Sequence, residues 1–277
     1  MASPRRTDPV ERAHLRDASG FSPPVHRFAA SPALADLVQR FWVPVWRLPP
    51  GRTTVQRVLQ YPVCLPVVGD DYASFVGPST GLSTRELSGS GWAFGTMLQP
   101  AAGALLLGGP VRRITDRTMP LEDLPAAGWS TLIPQVRHLL EKAPEDPDAQ
   151  RGAAALVEEA LSALLPVDEE GLLVNAIVEH VENDSSVQSV RQITERFGMT
   201  ERTLQRLTAR RIGLSPKWLI QRRRLHEAAE LLRAGDPPDL AQLALKLGYA
   251  DQAHFGRDFR TVTGLTPGRF VREPRPR

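Results

Sequence analysis

Between residues 193 and 267 the sequence repeats itself. The first copy runs Ile193, Phe197-Gly198-Met199, Leu204, Arg206 and Gly213-Leu214-Ser215-Pro216. The second runs Leu243, Leu247-Gly248-Tyr249, Phe255, Arg257 and Gly264-Leu265-Thr266-Pro267. The offset is 50 residues at the first glycine and 51 from the arginine onward, so one residue has entered the turn. A repeated pattern of this kind requires one supersecondary unit to form twice.

Within each copy a short apolar-periodic segment ends at a glycine, which closes a helix in the left-handed conformation without a Cβ penalty. A capping residue follows, Thr200 in the first copy and Asp251 in the second, ready to accept from the free N–H groups of the next helix. A short glycine-containing turn between two helices is the mark of a helix-turn-helix. On the second helix of copy one, Leu204 and Leu207 face inward, and Arg202, Gln205 and Arg206 face outward with Ala209 near them. Copy two buries Phe255 and Phe259 and turns Gln252, Ala253, Gly256 and Arg257 outward. Forked Arg and Gln side chains suit bidentate pairing with guanine and adenine edges in a major groove. The competing reading is a plain helical bundle with solvated arginines. Two tandem copies sharing a turn and a terminal G-L-[ST]-P favour double-stranded DNA as the partner.

The segment from Pro216 to Ala234 reads as one helix, with Pro216 in its first turn and an apolar stripe of Trp218, Leu225, Ala228, Ala229 and Leu232. A rod of about 19 residues spans roughly 28 Å, close to the ~34 Å between successive major-groove faces on one side of B-DNA. Arg222, Arg223 and Arg224 point three ways around it. One or two of them reach a phosphate at most, and the alternative is a solvated basic face with one arginine paired to Glu227 or Glu230.

Residues 168–271 resemble the DNA-binding domain of the AraC family of bacterial transcription regulators. The resemblance is carried by the tandem turns, by R-L-x-x-A-x-x-L-L from Arg224 to Leu232, and by L-G-Y-A-D-Q-A-H-F-G-R-D-F-R from Leu247 to Arg260. It implies base contacts from Arg202, Gln205 and Arg206 in the first reader and from Gln252, Ala253 and Arg257 in the second. Thr203 and Gly256 complete the DNA-binding set. Ala253 offers only a methyl, which suits a thymine methyl. The chain departs from the family at Thr208, where the second copy has Phe259 and the family usually has an aromatic. The expectation is a less well packed first unit. His254 is read as structural or as a backbone contact.

Charge is distributed accordingly. Residues 181–277 hold 18 Lys+Arg against 11 Asp+Glu, a net of +7, whereas residues 1–180 hold 16 against 20, a net of −4. The cationic field therefore sits on the C-terminal part, where phosphate attraction supplies salt-sensitive affinity and the readers supply choice of sequence.

The N-terminal two-thirds reads differently. Residues 1–20 are polar and Arg-rich, with neither a signal peptide nor an anchor, and are expected to form a disordered tail. No run approaches the ~18 apolar residues of a membrane span. A single cysteine suits a reducing cytoplasm. Cys64 lies in a strand-like run with no cation beside it and reads as a buried, inert thiol. The segment Pro32–Arg40 is briefly helical in pattern. Strand-length runs follow at Phe41–Leu48, Thr53–Gln60, Val63–Val68, Tyr72–Val76, Leu82–Leu87 and Trp92–Gln99, with a short helix at Ala101–Gly108 and a closing strand and turn at Asp116–Leu124. Their turn-like spacing predicts a small antiparallel barrel or sandwich. Phe94–Leu124 resembles the uncharacterised sensors of one branch of the same family, which names no ligand.

A metal-dependent β-barrel enzyme is the rival from another class. The six histidines are 14, 26, 138, 180, 226 and 254, and none falls within residues 41–124, so a cupin-type site lacks ligands there. No nucleophile elbow, P-loop or dinucleotide fingerprint appears. The four-cysteine zinc site of a DNA-repair methyltransferase, a fusion known in this superfamily, is excluded by the cysteine count. Neither catalytic residues, nor a metal, nor a cofactor are expected. Trp42, Trp46, Tyr61, Phe75 and Trp92, with Arg57, are the resources for a ligand pocket, and ordinary core packing is the alternative for each.

Trp129–Lys142 and Arg151–Leu165 read as amphipathic helices around the break at Ala143–Gln150. The stripe Leu156, Ala160, Leu161, Leu164 and Leu165 can pack on the sensor or on a second copy. A helix from Glu170 to Glu182 opens the DNA module. The expected organisation is α+β. It comprises a tail (1–20), a β-rich regulatory domain (21–126), a helical connector (127–166) and an all-α tandem helix-turn-helix domain (167–277). The resemblance makes a small-molecule effector, RNA polymerase and a second copy of the chain candidate partners beside DNA, with no membrane. A regulator whose sensor serves only oligomerisation is the alternative.

Overall fold

The computed structural model describes residues 14–15, 21–58, 61–233 and 238–272. The described residues hold nine strands, the last of them separated from the others by a short helix: β1 (His14–Leu15), β2 (Val25–Ala29), β3 (Val38–Arg47), β4 (Thr53–Val58), β5 (Leu65–Gly69), β6 (Ala73–Val76), β7 (Ser83–Ser88), β8 (Ser90–Leu98) and β9 (Thr118–Pro120). They form two antiparallel sheets, ordered β1-β4-β7 and β2-β3-β8-β5-β6-β9. Trp46, Leu48, Val67, Leu87 and Ala93 make a shared apolar layer drawn from strands of both sheets.

β8 lies between β3 and β5 and is buried along seven consecutive positions from Trp92 to Leu98. Two of its glycines shape the packing. Trp42 and Trp46 stand opposite Gly95 and Gly91 in register, and a Cβ at either glycine would come within 2.0–2.5 Å of the facing indole. Absent side chains on β8 let both rings lie across the strand.

Two expectations change here, and one strand, β2, lies outside the runs read from the sequence. The helical pattern at Pro32–Arg40 yields only a 3-10 turn, Pro32–Leu34, and β3 begins at Val38, opposite Leu98. Long-range pairing with the buried β8 outweighs a weak local periodicity. β2 has no clear alternation, since it is an edge strand with half-buried residues. Within the tail expected to be disordered, His14 and Leu15 pair with Val58 and Arg57 of β4; the rest of residues 1–20 lies outside the described residues.

Ten α-helices follow in the described chain: α1 (Ala102–Leu107), α2 (Trp129–Leu140), α3 (Pro147–Ser162), α4 (Glu169–Asn183), α5 (Val190–Phe197), α6 (Glu201–Arg211), α7 (Pro216–Arg233), α8 (Leu240–Lys246), α9 (Gln252–Thr263) and α10 (Pro267–Arg272). α3 starts a turn earlier than its apolar pattern suggests, because Asp146 accepts from the Asp148 N–H and Pro147 fills the first turn. Its stripe belongs to the chain's own core: Leu161 is buried and Leu156, Ala160, Leu164 and Leu165 pack against the same cluster.

That main cluster runs without interruption from the strands through α2 and α3 into α4, α5 and α6, ending at Leu219 and Ile220. Cys64 is buried within it, and burial pushes its thiol far above the usual range. A second cluster holds the C-terminal part of α7 with α8, α9 and α10, and takes Tyr61, Val63 and Met97 from the β-rich side. Among the described residues no helix is long and apolar enough to cross a membrane, and no three His, Cys, Asp or Glu side chains gather as they would around a metal ion.

Candidate nucleic-acid interface

Each helix pair is built from the local signals of its sequence. α5 opens with a reciprocal cap in which Ser189 accepts from the Gln192 N–H and the Gln192 side chain accepts from the Ser189 N–H. It closes at Gly198 with φ +63°. Thr200 then caps α6, its Oγ1 accepting from the Thr203 N–H at 3.2 Å. In the second unit Asp239 caps α8, Gly248 turns at φ +77°, and Asp251 caps α9 by accepting from the His254 N–H at 2.7 Å. The His254 N–H holds the Asp251 carboxyl below the ordinary carboxylate range.

The outward residues of α6 and α9 are where the periodicity places them. Arg202, Thr203, Gln205 and Arg206 are exposed on α6; Gln252, Ala253 and Arg257 are exposed on α9, with Gly256 half-buried. Among the described residues Arg202 and Arg206 take no intrachain side-chain partner. The Thr203 hydroxyl is 3.0 Å from that of Thr200, which ties it to the cap. His254 touches the edge of Tyr249 and stands 3.7 Å from Asp258, a structural setting.

Other arginines are bound inside the molecule. Arg222 is buried, pairs with Glu182 at 2.6 Å and lies 4.5 Å from the Tyr61 ring centre. Arg223 donates to the Val187 carbonyl at 2.9 Å and pairs with Glu227 at 3.2 Å; burial pulls its pKa down. Arg224 donates to the Gln188 carbonyl at 2.8 Å and reaches the Gly248 carbonyl at 3.5 Å. The expectation of phosphate contact or a solvated face for this triplet is therefore corrected, whereas the expected pairing of one of them with Glu227 is present at Arg223. Arg222 braces α7 against α4, Arg223 and Arg224 brace it against the segment before α5, and Arg224 links that segment to the turn of the second unit.

Arg211 was not singled out by the sequence. It ends α6 almost fully buried, pairing with Asp168 and with Glu170 at 2.9 Å, while Arg210 pairs with Glu170 from outside. Burial works against ionised Asp168, but Arg211 and the Gly171 N–H hold its carboxyl below the usual range. The available signal was an arginine standing where the second copy has Val262, an apolar position of the repeat. Thr208 is fully buried, its hydroxyl donating to the Gln205 carbonyl at 3.3 Å; Leu204 and Thr208 stand at the repeat positions that Phe255 and Phe259 occupy in the second unit.

Two capped helix pairs in tandem, with arginines sorted into braces and exposed ends, decide the type of module. Residues 193–273 match the family model of a helix-turn-helix domain. The C-terminal module is an AraC-type helix-turn-helix domain. Residues 26–120 match a domain of unknown function (DUF6597). The transcriptional activator RhaS of Escherichia fergusonii is 37% identical over 83 residues, 30% of this chain and 29% of that protein. The transcriptional regulator MtrA of Neisseria gonorrhoeae is 25% identical over 103 residues, 37% of this chain and 33% of its own. The chain thus matches about a third of the length of these relatives. Among solved structures, ToxT of Vibrio cholerae bound to (E)-4-(8-methylnaphthalen-1-yl)but-3-enoic acid aligns at 13% identity and TM-score 0.43, over 83% of this chain and 98% of that one. The C-terminal domain of the response regulator AraT of Geobacillus stearothermophilus aligns at 21% identity and TM-score 0.35, over 40% of this chain and 92% of that one.

Proposed function

We propose that this chain is a sequence-specific, DNA-binding transcription regulator and not an enzyme. α6 and α9 would enter adjacent major-groove segments, and base readout would come from Arg202, Gln205, Arg206, Gln252, Ala253 and Arg257. The observation that carries the reading is the division of the arginines: Arg211 and Arg222–Arg224 are consumed as internal braces, whereas Arg202, Arg206 and Arg257 project from the outer faces of the readers. A solvated helical bundle gives no reason for such sorting. We take residues 21–126 as the regulatory domain, 127–166 as the connector and 167–277 as the DNA module, working in the cytoplasm and, at promoters, beside RNA polymerase.

Control by a small-molecule effector or by self-association belongs to the same proposal. The aromatics set aside for a pocket are mostly spent elsewhere: Trp46, Phe75 and Trp92 are buried in cores, and Tyr61 packs in the cluster of the second unit beneath Arg222. This observation favours the second reading, in which the N-terminal domain binds no ligand and serves contacts alone. A groove of about 500 Å³ between β2 and α3, lined by His26, Phe28, Gln150, Arg151 and Glu158, is open rather than internal. Because the α3 stripe is covered within the chain, a homodimer would use another face, such as that of β2, the outermost strand of its sheet among the described residues.

The test is selection from a random-sequence duplex library at two salt concentrations. A bipartite motif with half-sites about one helical turn apart is expected. Salt-sensitive retention without enrichment would refute sequence-specific reading.

A further inference from the structure

The two copies of G-L-[ST]-P lie against one and the same part of the β-rich domain. Two loops form it: residues 77–82, between β6 and β7, and residues 110–117, between α1 and β9. They are locked together. The Thr80 N–H and hydroxyl both donate to the Asp116 carboxylate, at 2.7 and 2.9 Å, the Asp116 N–H donates to the Pro78 carbonyl at 2.9 Å and the Gly77 N–H to the Arg117 carbonyl at 3.0 Å. Asp116 holds a left-handed backbone, φ +57°, a conformation costly for a residue with a side chain and retained when surrounding contacts fix it.

Both readers rest their rear ends on this bracket. Behind α6, the Thr115 hydroxyl donates to the Gly213 carbonyl at 2.8 Å, and a Cβ on Gly213 would stand 2.5 Å from Thr115 Oγ1. The Trp218 indole N–H donates to the Thr80 carbonyl at 3.3 Å. Behind α9, a Cβ on Gly264 would stand 3.2 Å from Leu82 Cδ2, and Leu82 and Leu265 pack against the same cluster. Gly213 and Gly264 are equivalent positions of the repeat, 51 residues apart. The outward Arg and Gln side chains stand on the first halves of the two helices, so the bracket leaves them uncovered and touches only the opposite ends.

We infer that the Thr80–Asp116 bracket is a spacer that fixes the relative placement of the two recognition helices, and so determines which separation of half-sites the protein accepts. The inference rests on the two-reader reading above. Thr80 and Asp116 are positioning residues that touch no base. A loosened bracket leaves each reader's base preference intact and relaxes the distance between them.

The experiment uses the full chain and duplexes carrying the two selected half-sites at separations varied one base pair at a time. The parent is expected to favour one separation over its neighbours by about five-fold or more, the lower end of typical coupling between linked sites. Asp116→Ala is expected to level that preference with the bases of each half-site unchanged. Asp116→Asn, which tolerates the left-handed backbone and keeps an acceptor for the Thr80 N–H, should restore it. Trp218→Phe, which keeps the ring and removes only the bond to Thr80, should level it partly and serves if Asp116→Ala does not fold. An unchanged separation profile in folded Asp116→Ala and Trp218→Phe, or equal weakening at every separation, would overturn the inference while leaving the two readers standing. A parent that selects no bipartite site would remove both.

Discussion

The two helix-turn-helix units share a turn but not a way of holding the recognition helix. The second unit packs aromatics together: Phe255 tilted against Phe259 at 5.5 Å between ring centres and Phe259 edge-to-face with Phe270 at 5.2 Å. The first has no ring at the corresponding place. Its helix is held by Leu204, Leu207, a buried threonine and an arginine anchored on Asp168 and Glu170, and its core is continuous with that of the β-rich domain. The same local code is thus supported in one case by aromatic packing that Tyr61, Val63 and Met97 of the β-rich side join, and in the other by ion pairs and a core continuous with that domain. At the family departure, Thr208 is fully buried and hydrogen-bonded.

The comparison breaks most visibly at the aromatic core. Phe259→Ala should cost ~3–5 kcal/mol, read as a lower urea midpoint, whereas Thr208→Ala should cost ~1 kcal/mol or less. Equal losses would mean that the units are held alike. Next, Arg211→Ala should destabilise the chain by ~2 kcal/mol, since a buried donor is lost and its carboxylates are left unmatched. Replacement by Met, which keeps the bulk, should recover part of that loss. In DNA binding, Arg206→Ala and Arg257→Ala should each relax choice at one or two bases at a cost of ~1–3 kcal/mol; equal weakening on all sequences would make them phosphate contacts.

The smallest effect sharpens the contrast between the caps. Asp251 has its carboxyl held below the ordinary range, so the stability it contributes is present above its unfolded pKa and is lost as pH falls through the lower folded value. Thr200, its counterpart, does not titrate. Asp251→Asn should therefore melt below the parent at neutral pH, with the gap closing towards pH 3, while Thr200→Ser should show no such closing. A gap that does not depend on pH would assign the cap to some other group.

The tandem unit was legible because its signals are local: a glycine with positive φ, a cap one to three residues later and apolar residues at helical spacing lie within a dozen residues of one another. Strands β3 to β9 are located to within a few residues by the same kind of punctuation, whereas β1 and β2 are not. Side chains whose partners are distant were not legible. Nothing near Arg222–Arg224 in sequence indicates Glu182, Tyr61, Val187 or Gln188, so their basic run suggested solvent or phosphate. Arg211 was hidden for the same reason, as was the use of the α3 stripe, whose partners lie on other elements of the same core. Two loops more than thirty residues apart meeting behind both readers is a property of topology alone.

Cys64 gives the chain a clock. It is the one thiol in the sequence, it is buried against Gly103, and its neutral form is favoured where it sits. A thiol-specific reagent will therefore label this protein only as fast as the β-rich core opens. With opening slow relative to labelling, the reaction rate equals the opening rate itself; with opening fast, it reports the fraction of molecules open at any moment. Because that core continues into the first helix-turn-helix unit but not into the second, adding operator DNA and timing the same thiol would show which half of the reader is energetically joined to the domain that precedes it.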